Sequence, residues 1–193
     1  MANSKNAYIV GGPNGAGKST FVDKYLPKYV EVKNFVNADL IASGLSRFDY
    51  STMQIKAGKI MLGLIKDYKN KGLSFGFETT LAGKKWIDLI NDLKKQGYTI
   101  NIFFLDMISI ELALKRIQFR IESGGHGIPK DTVKRRYVRS RYNFWHKYKN
   151  VANNWYLFNN SYETPELIAF SENNREIVQN KKYYNFFLNS VKT

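Results

Sequence analysis

Gly12-Pro13-Asn14-Gly15-Ala16-Gly17-Lys18-Ser19-Thr20 decides how the rest of this chain is read. Gly12, Gly17, Lys18 and Ser19 stand at the spacing of the P-loop pattern G-x-x-x-x-G-K-[ST]. Glycines let a backbone curl closely around an anion and turn successive N–H groups inward. A helix starting at Lys18 adds the partial positive charge of its N-terminus. Lys18 is then expected to reach the outer phosphates of a nucleoside triphosphate, ATP, with Mg²⁺ on the hydroxyl of Ser19. The alternative is a structural glycine-rich turn carrying an exposed lysine. Context favours the cradle: Ala7-Tyr8-Ile9-Val10-Gly11 reads as a buried strand leading in, and Lys18–Tyr25 as a helix leading out, stopped near Pro27.

Outward from the loop, apolar runs alternate with helical patterns. Strands are predicted at Asn34–Ala38, Leu73–Thr80, Tyr98–Leu105 and Trp155–Phe158. Helices are predicted at Ser51–Lys71 (on the spacing of Ile55, Ile60, Leu62, Leu64 and Ile65), Lys84–Gln96, Ile110–Glu122 and Lys130–Lys149. A hairpin at Glu166–Gln179, turning at Asn173-Asn174, and a short aromatic helix at Tyr183–Leu188 complete the pattern. Strands alternating with helices imply a three-layer α/β fold of the P-loop nucleoside triphosphate hydrolase kind. Its mostly parallel sheet of five strands is covered on both faces. No repeat or linker interrupts residues 1–193, so a single domain is expected. Ligands of such sheets bind at the strands' carboxyl ends, which points to Gly11–Thr20, Ala38-Asp39, Glu78–Leu81 and Asp106.

Composition narrows the function. The chain has no cysteine, which excludes disulfides and thiolate chemistry, and two histidines make a zinc site a poor expectation. No run is apolar enough to span a membrane and the N-terminus lacks a secretory pattern, so a cytoplasmic protein is expected. The base-reading Asn-Lys-x-Asp motif of switch GTPases is missing. An ABC-type ATPase shares the P-loop spelling, and Ser123-Gly124-Gly125-His126 imitates its signature, but no apolar strand ending in Asp-Glu follows. Lys and Arg number 30 against 16 acids, and between Lys115 and Lys149 eleven basic residues face only Glu122 and Asp131. Such a block attracts phosphates, nucleic acid or acidic partners.

Phosphoryl transfer needs an oriented hydroxyl, a metal ion and cations on the migrating charge. Asp39 follows a strand and is either a base for an attacking hydroxyl or the N-cap of a helix at Leu40–Ala42. Glu78 ends a strand and faces either Mg²⁺ and substrate, or Lys84 and Lys85 at the surface. Asp106 reads as part of a helix-capping region. Arg116 and Arg120 share one helix face, and Arg135, Arg136, Arg139 and Arg141 follow the Gly124-Gly125-His126-Gly127 turn, in which His126 is a turn residue. Two basic helices hinged on glycines suit a lid at about 115–149 that closes over a triphosphate, since arginine forks bind phosphate oxygens bidentately. The competing reading is a nucleic-acid stripe interleaved with Tyr137, Tyr142 and Trp145.

The P-loop, Phe35-Val36-Asn37-Ala38-Asp39-Leu40-Ile41-Ala42, Phe77-Glu78-Thr79-Thr80-Leu81, Arg116 with Arg120, Gly124–Pro129, Arg135–Ser140 and Trp155–Ser161 occur in an order that resembles zeta-toxin-like P-loop kinases. The resemblance covers about four-fifths of the chain and implies sheet order 2-3-1-4-5. It implies ATP- and Mg²⁺-dependent phosphorylation of a hydroxyl, as on UDP-N-acetylglucosamine, and a small antitoxin partner. Position by position, Asp39 resembles the family's catalytic base, and Glu78 and Thr80 its substrate-site pair. Arg120 and Arg136 resemble its phosphate-stabilising arginines, with Arg116 and Arg135 as neighbours. The chain departs from the toxins at Thr79, where many have Gly, and at Leu81-Ala82-Gly83, where an Arg is missing. The leading expectation is an ATP:alcohol phosphotransferase. The alternatives are a nucleotide-gated nucleic-acid-binding protein and an ATPase serving a protein partner.

Overall fold

Alternation at every second residue sorts the central strands between two cores. In β1 (Asn6–Gly11), Ala7 and Ile9 face one side and Tyr8 and Val10 the other. In β4 (Thr99–Asp106), Phe104 goes with the first set, and Phe103 and Leu105 with the second. Strands so apolar on both faces belong in the middle of a parallel sheet. The computed structural model, which describes residues 5–45, 50–172 and 175–192, puts them there. β1 lies between β3 (Phe75–Thr79) and β4, parallel to both. β2 (Phe35–Val36) flanks β3, and β5 (Asn154–Asn159) flanks β4.

The order of these five strands, 2-3-1-4-5, is the one the resemblance implies, but the sheet does not stop there. β6 (Glu166–Glu172) pairs antiparallel with β5, and β7 (Arg175–Val178) with β6. Among the described residues the sheet therefore has seven strands, not five. The expected hairpin is its continuation, docked through backbone hydrogen bonds that an isolated hairpin would have left open to water. The turn proposed at Asn173-Asn174 lies outside the described residues.

Helices cover both faces. α3 (Tyr50–Asn70), α4 (Lys85–Lys95) and α8 (Lys181–Val191) bury Met61, Ile65, Trp86, Ile90 and Phe187 against one face. α1 (Lys18–Lys24), α5 (Ile110–Glu122) and α6 (Lys130–Asn143) bury Phe21, Ile117, Val133 and Tyr137 against the other. α2 (Ala38–Leu45) follows β2 directly. The helix expected at Ser51–Lys71 forms as α3, and the one expected at Lys130–Lys149 needs correction. The stripe that docks α3 is Ala57, Met61 and Ile65, spaced four apart, while Ile55 and Leu62 are 70% and 47% exposed. The helix expected at Lys130–Lys149 is α6 followed by a π-helical turn, Phe144–Tyr148, and the short α7 (Lys149–Val151). No helix among the described residues is long and apolar enough to cross a membrane.

This topology gathers Gly11, Thr79, Asp106 and Asn159 at one edge, because β1, β3, β4 and β5 all run the same way and pair in register there.

Candidate active site

The P-loop leaves β1 through Gly12, whose φ of 147° and whose approach to the Leu105 carbonyl leave no room for a Cβ. Inside the loop Lys18 is half-buried, and its Nζ donates to the Pro13 carbonyl at 3.1 Å. Burial pushes the Lys18 ammonium below the usual lysine range. Glu78 and Asp39 pull it back up, and Arg120 and Arg136 press it further down. Lys18 thus lies in the field of both carboxylates and both arginines that the sequence singles out.

Glu78 sits at the end of β3, where it is 8% exposed and accepts the Ser19 hydroxyl at 3.0 Å and 3.2 Å on its two oxygens. That geometry replaces the surface pairing with Lys84 or Lys85. Burial raises the Glu78 carboxyl above its ordinary range, against the pull of Lys18 and Ser19. A carboxylate and a hydroxyl held on one another form an all-oxygen donor set suited to a hard cation such as Mg²⁺, which takes few protein ligands and fills its shell from phosphate and water.

Asp39 is not the N-cap of α2. Asn37 is: its Oδ1 accepts the N–H groups of Asp39 at 2.8 Å and Leu40 at 3.1 Å. Its Nδ2 reaches the Ser19 hydroxyl at 3.4 Å. Asn37 therefore does the capping, and the Asp39 carboxylate lines the clefts on either side of Lys18.

Those clefts divide the remaining residues. One, of about 660 Å³, runs from the P-loop past Ser19 and Thr20 to Arg116, Phe119, Arg120 and Tyr162. The other, of about 440 Å³, is bounded by Thr80, Lys85, Trp86, Arg135, Arg136 and Arg139. Asn14, Lys18, Asp39 and Glu78 belong to both. Arg136 reaches Asn14 Oδ1 at 3.3 Å, and Arg120 donates to the His126 carbonyl at 2.8 Å, inside the glycine turn. Arg116 lines the first cleft only, its guanidinium donating to the carbonyls of Asn160 at 2.7 Å and Ser161 at 3.0 Å. Arg141 is in neither. It is buried against Asp106, with its Nη2 donating to Oδ2 at 3.1 Å. Its Nε lies 2.8 Å from Oδ1, an ionic contact without hydrogen-bond alignment. Tyr183 donates to the same carboxylate at 3.1 Å. Asp106 is thus the partner of a core arginine rather than a capping residue, and α5 is capped by Ser109, which accepts from the Leu112 N–H at 3.2 Å.

The family model described as zeta toxin matches residues 2–178. The chain belongs to the zeta-toxin family of P-loop kinases. An uncharacterised protein of Haemophilus influenzae is 31% identical to it over 126 residues, 65% of this chain and 88% of the relative. Among solved structures, the AvrRxo1-ORF1:ORF2 complex with ATP has a chain that matches with a TM-score of 0.80 at 17% identity. The match covers all of this chain and 66% of the other. The PezAT toxin–antitoxin system of Streptococcus pneumoniae gives 0.66 at 14% identity, covering all of this chain and 90% of the other. Deoxyadenosine kinase from M. mycoides with bound dATP gives 0.51 at 18%, covering 82% and 93%. At these identities the structures establish a shared fold.

Several contributors to this site escape a sequence reading. Asn37 stands two residues before Asp39, and its capping spacing was the available signal. Trp86, 5% exposed, floors the second cleft and donates from Nε1 to Thr79 Oγ1 at 2.8 Å. Asn160 follows β5 directly, on the same sheet edge as the P-loop, and lines the first cleft. The stripe reading of this segment loses two of its three aromatic members: Tyr137 is buried with its hydroxyl on the Met107 carbonyl, and Trp145 packs on Trp155 and Tyr184, while Tyr142 is half-buried against His146.

Proposed function

We propose that this zeta-toxin family member transfers the γ-phosphate of ATP to a hydroxyl of a small molecule held in the cleft beside Arg136. One observation carries this reading: Lys18, Asp39, Glu78 and Asn14 form a wall common to both clefts. A nucleotide entering from one side and an acceptor from the other would meet there. The P-loop, Gly12–Thr20, would hold the triphosphate, and Mg²⁺ would sit on Ser19 with Glu78 behind it and neutralise charge on the phosphates. Asp39 would take the hydroxyl proton, and Arg120 and Arg136 would face the migrating phosphoryl group from opposite sides.

Lys85, Arg135, Arg136 and Arg139 around the second cleft favour an acceptor that itself carries phosphate, such as a nucleotide sugar of the UDP-N-acetylglucosamine kind. Thr80 lies beside it as a contact for the acceptor. The lid at about 115–149 is proposed to move at its glycine turn, Gly124–Gly127, since Ile117, Val133 and Tyr137 anchor both helices in the core. A small protein partner of the antitoxin kind is proposed from family membership and from the toxin–antitoxin complex among the structural neighbours.

The test is incubation with γ-labelled ATP and fractionated metabolites, with UDP-N-acetylglucosamine as the first pure acceptor. Asp39→Ala is expected to lower transfer by about 10²–10⁴-fold while ATP still binds. Lys18→Ala is expected to lose both. Asp39→Ala turning over at the wild-type rate removes the base assignment, and ATP consumption with no labelled acceptor replaces the kinase by an ATPase.

A further inference from the structure

Helix α1 begins at Lys18 with Gly17 as its N-cap, so the Gly17 N–H stands outside the helix's own ladder of hydrogen bonds. The peptide that carries this N–H also carries the Ala16 carbonyl, and that oxygen accepts a hydrogen bond from Asn160 Nδ2 at 2.6 Å. In a planar trans peptide the C=O and N–H point in opposite directions. Anchoring one aims the other.

We propose that Asn160 is a positioning residue of the phosphate cradle: by holding the Ala16 carbonyl, it turns the Gly17 N–H towards the bound phosphate chain. The proposal rests on the reading of the loop as a triphosphate site. Asn160 is well suited to the task because it is itself pinned. It is 8% exposed, its backbone N–H donates to the Asp106 carbonyl at 2.8 Å, and its carbonyl accepts from Arg116 at 2.7 Å. The end of the side chain that faces Ala16 must be the NH₂, since two carbonyl oxygens at that distance would repel. Gly17 completes the fit. Its φ is 76°, and a Cβ there would lie 2.6 Å from Asn160 Nδ2, so the glycine and the asparagine are two halves of one contact. A hydrogen-bond donor held in place before the anion arrives loses little freedom on binding, which is where such a residue gains its effect.

The experiment uses two probes, inorganic tripolyphosphate with Mg²⁺ and adenosine, titrated calorimetrically into the wild type and into Asn160→Leu, which keeps the branched shape of the side chain and removes the donor. The expected result is about a tenfold or greater rise in Kd for tripolyphosphate, the size of one hydrogen bond to a charged group, with the Kd for adenosine unchanged. Equal losses for both probes, or none for tripolyphosphate, overturn the role of Asn160. Should the leucine variant not fold, the wild type alone decides: its Gly17 amide resonance should move strongly downfield on adding tripolyphosphate and stay put with adenosine. A wild type that binds no tripolyphosphate would instead defeat the triphosphate reading itself, a failure distinct from a bound phosphate chain that leaves the Gly17 amide unmoved.

Discussion

Arg139 and Arg141 stand two positions apart on one helix and have opposite fates. Two residues on a helix are separated by about 200°, so when one faces a solvent-filled cleft the other faces the core. Arg139 lines the second cleft, whereas Arg141 is buried on Asp106 beneath Tyr183. A buried ion pair adds little over a well-packed apolar pair, but removing one partner strands the other charge. Asp106→Ala should therefore destabilise the protein by about 3–5 kcal/mol. For a domain of this size that is a fall in Tm of roughly 6–20 °C. Asp106→Leu combined with Arg141→Met should recover most of it. Thermal unfolding of the two variants checks this, and a double variant no better than the single one would mean that the pair does more than cancel its own charges. Neither residue touches the clefts, so ATP affinity should hold in both variants.

At the scale of elements, α6 joins the second cleft to the core. Its outer face presents Arg135, Arg136 and Arg139. On the same side of the helix Ser140 donates to the Thr80 carbonyl and Asn143 to the Leu81 carbonyl at 3.1 Å, and in the π-helical turn Tyr148 donates to the Gly83 carbonyl at 2.5 Å. The loop so held contains Leu81 at φ 54°, a conformation that costs a non-glycine residue and persists only when its surroundings over-determine it. Asn143→Ala removes one of these donors from a buried carbonyl and should cost about 1–3 kcal/mol. Its kinetic effect should fall on phosphate transfer and leave ATP binding intact, because the loop lines only the second cleft, the one proposed for the acceptor. A variant that weakens ATP binding as much as transfer would sever this link between helix and loop.

The same elements show what a sequence can and cannot disclose. The P-loop was legible because a residue pattern, a strand before it and a helix after it all require one another. Asp39 and Glu78 were legible as candidates because strand ends place them on the sheet's carboxyl edge. Their partners were not. Whether Asp39 caps a helix depends on Asn37, and whether Glu78 faces solvent depends on Ser19, 59 positions away in the chain. The spacing of Ile55, Ile60 and Leu62 revealed a helix but not which side of it docks, because residues on both flanks of α3 are apolar. The hairpin was visible as a pattern, whereas its place in the sheet is set by pairing with β5, a non-local choice.

Over the whole molecule, 30 basic residues stand against 16 acidic ones, and part of that excess lies on the two clefts, where Lys18, Lys115, Arg116 and Arg120 line one and Lys18, Lys85, Arg135, Arg136 and Arg139 the other, against Asp39, Glu78 and Glu163. Concave walls of one sign focus field lines and raise the encounter rate of an oppositely charged ligand by about 10–10³-fold, an effect that salt removes. The association rate of ATP, followed by stopped-flow fluorescence of a labelled analogue, should therefore fall about tenfold or more between low and high salt. Adenosine, which carries no charge, should associate at a rate that salt leaves alone. The charge distribution also separates the two sides of the site. Neutralising Arg135 and Arg139 together should lessen the salt dependence for a phosphorylated acceptor more than for ATP, since neither residue lines the nucleotide cleft. If ATP and adenosine showed the same response to salt, the basic surface would be a solubilising coat rather than a guide to the ligand. The arginines at the phosphate position would then act only after the nucleotide had arrived.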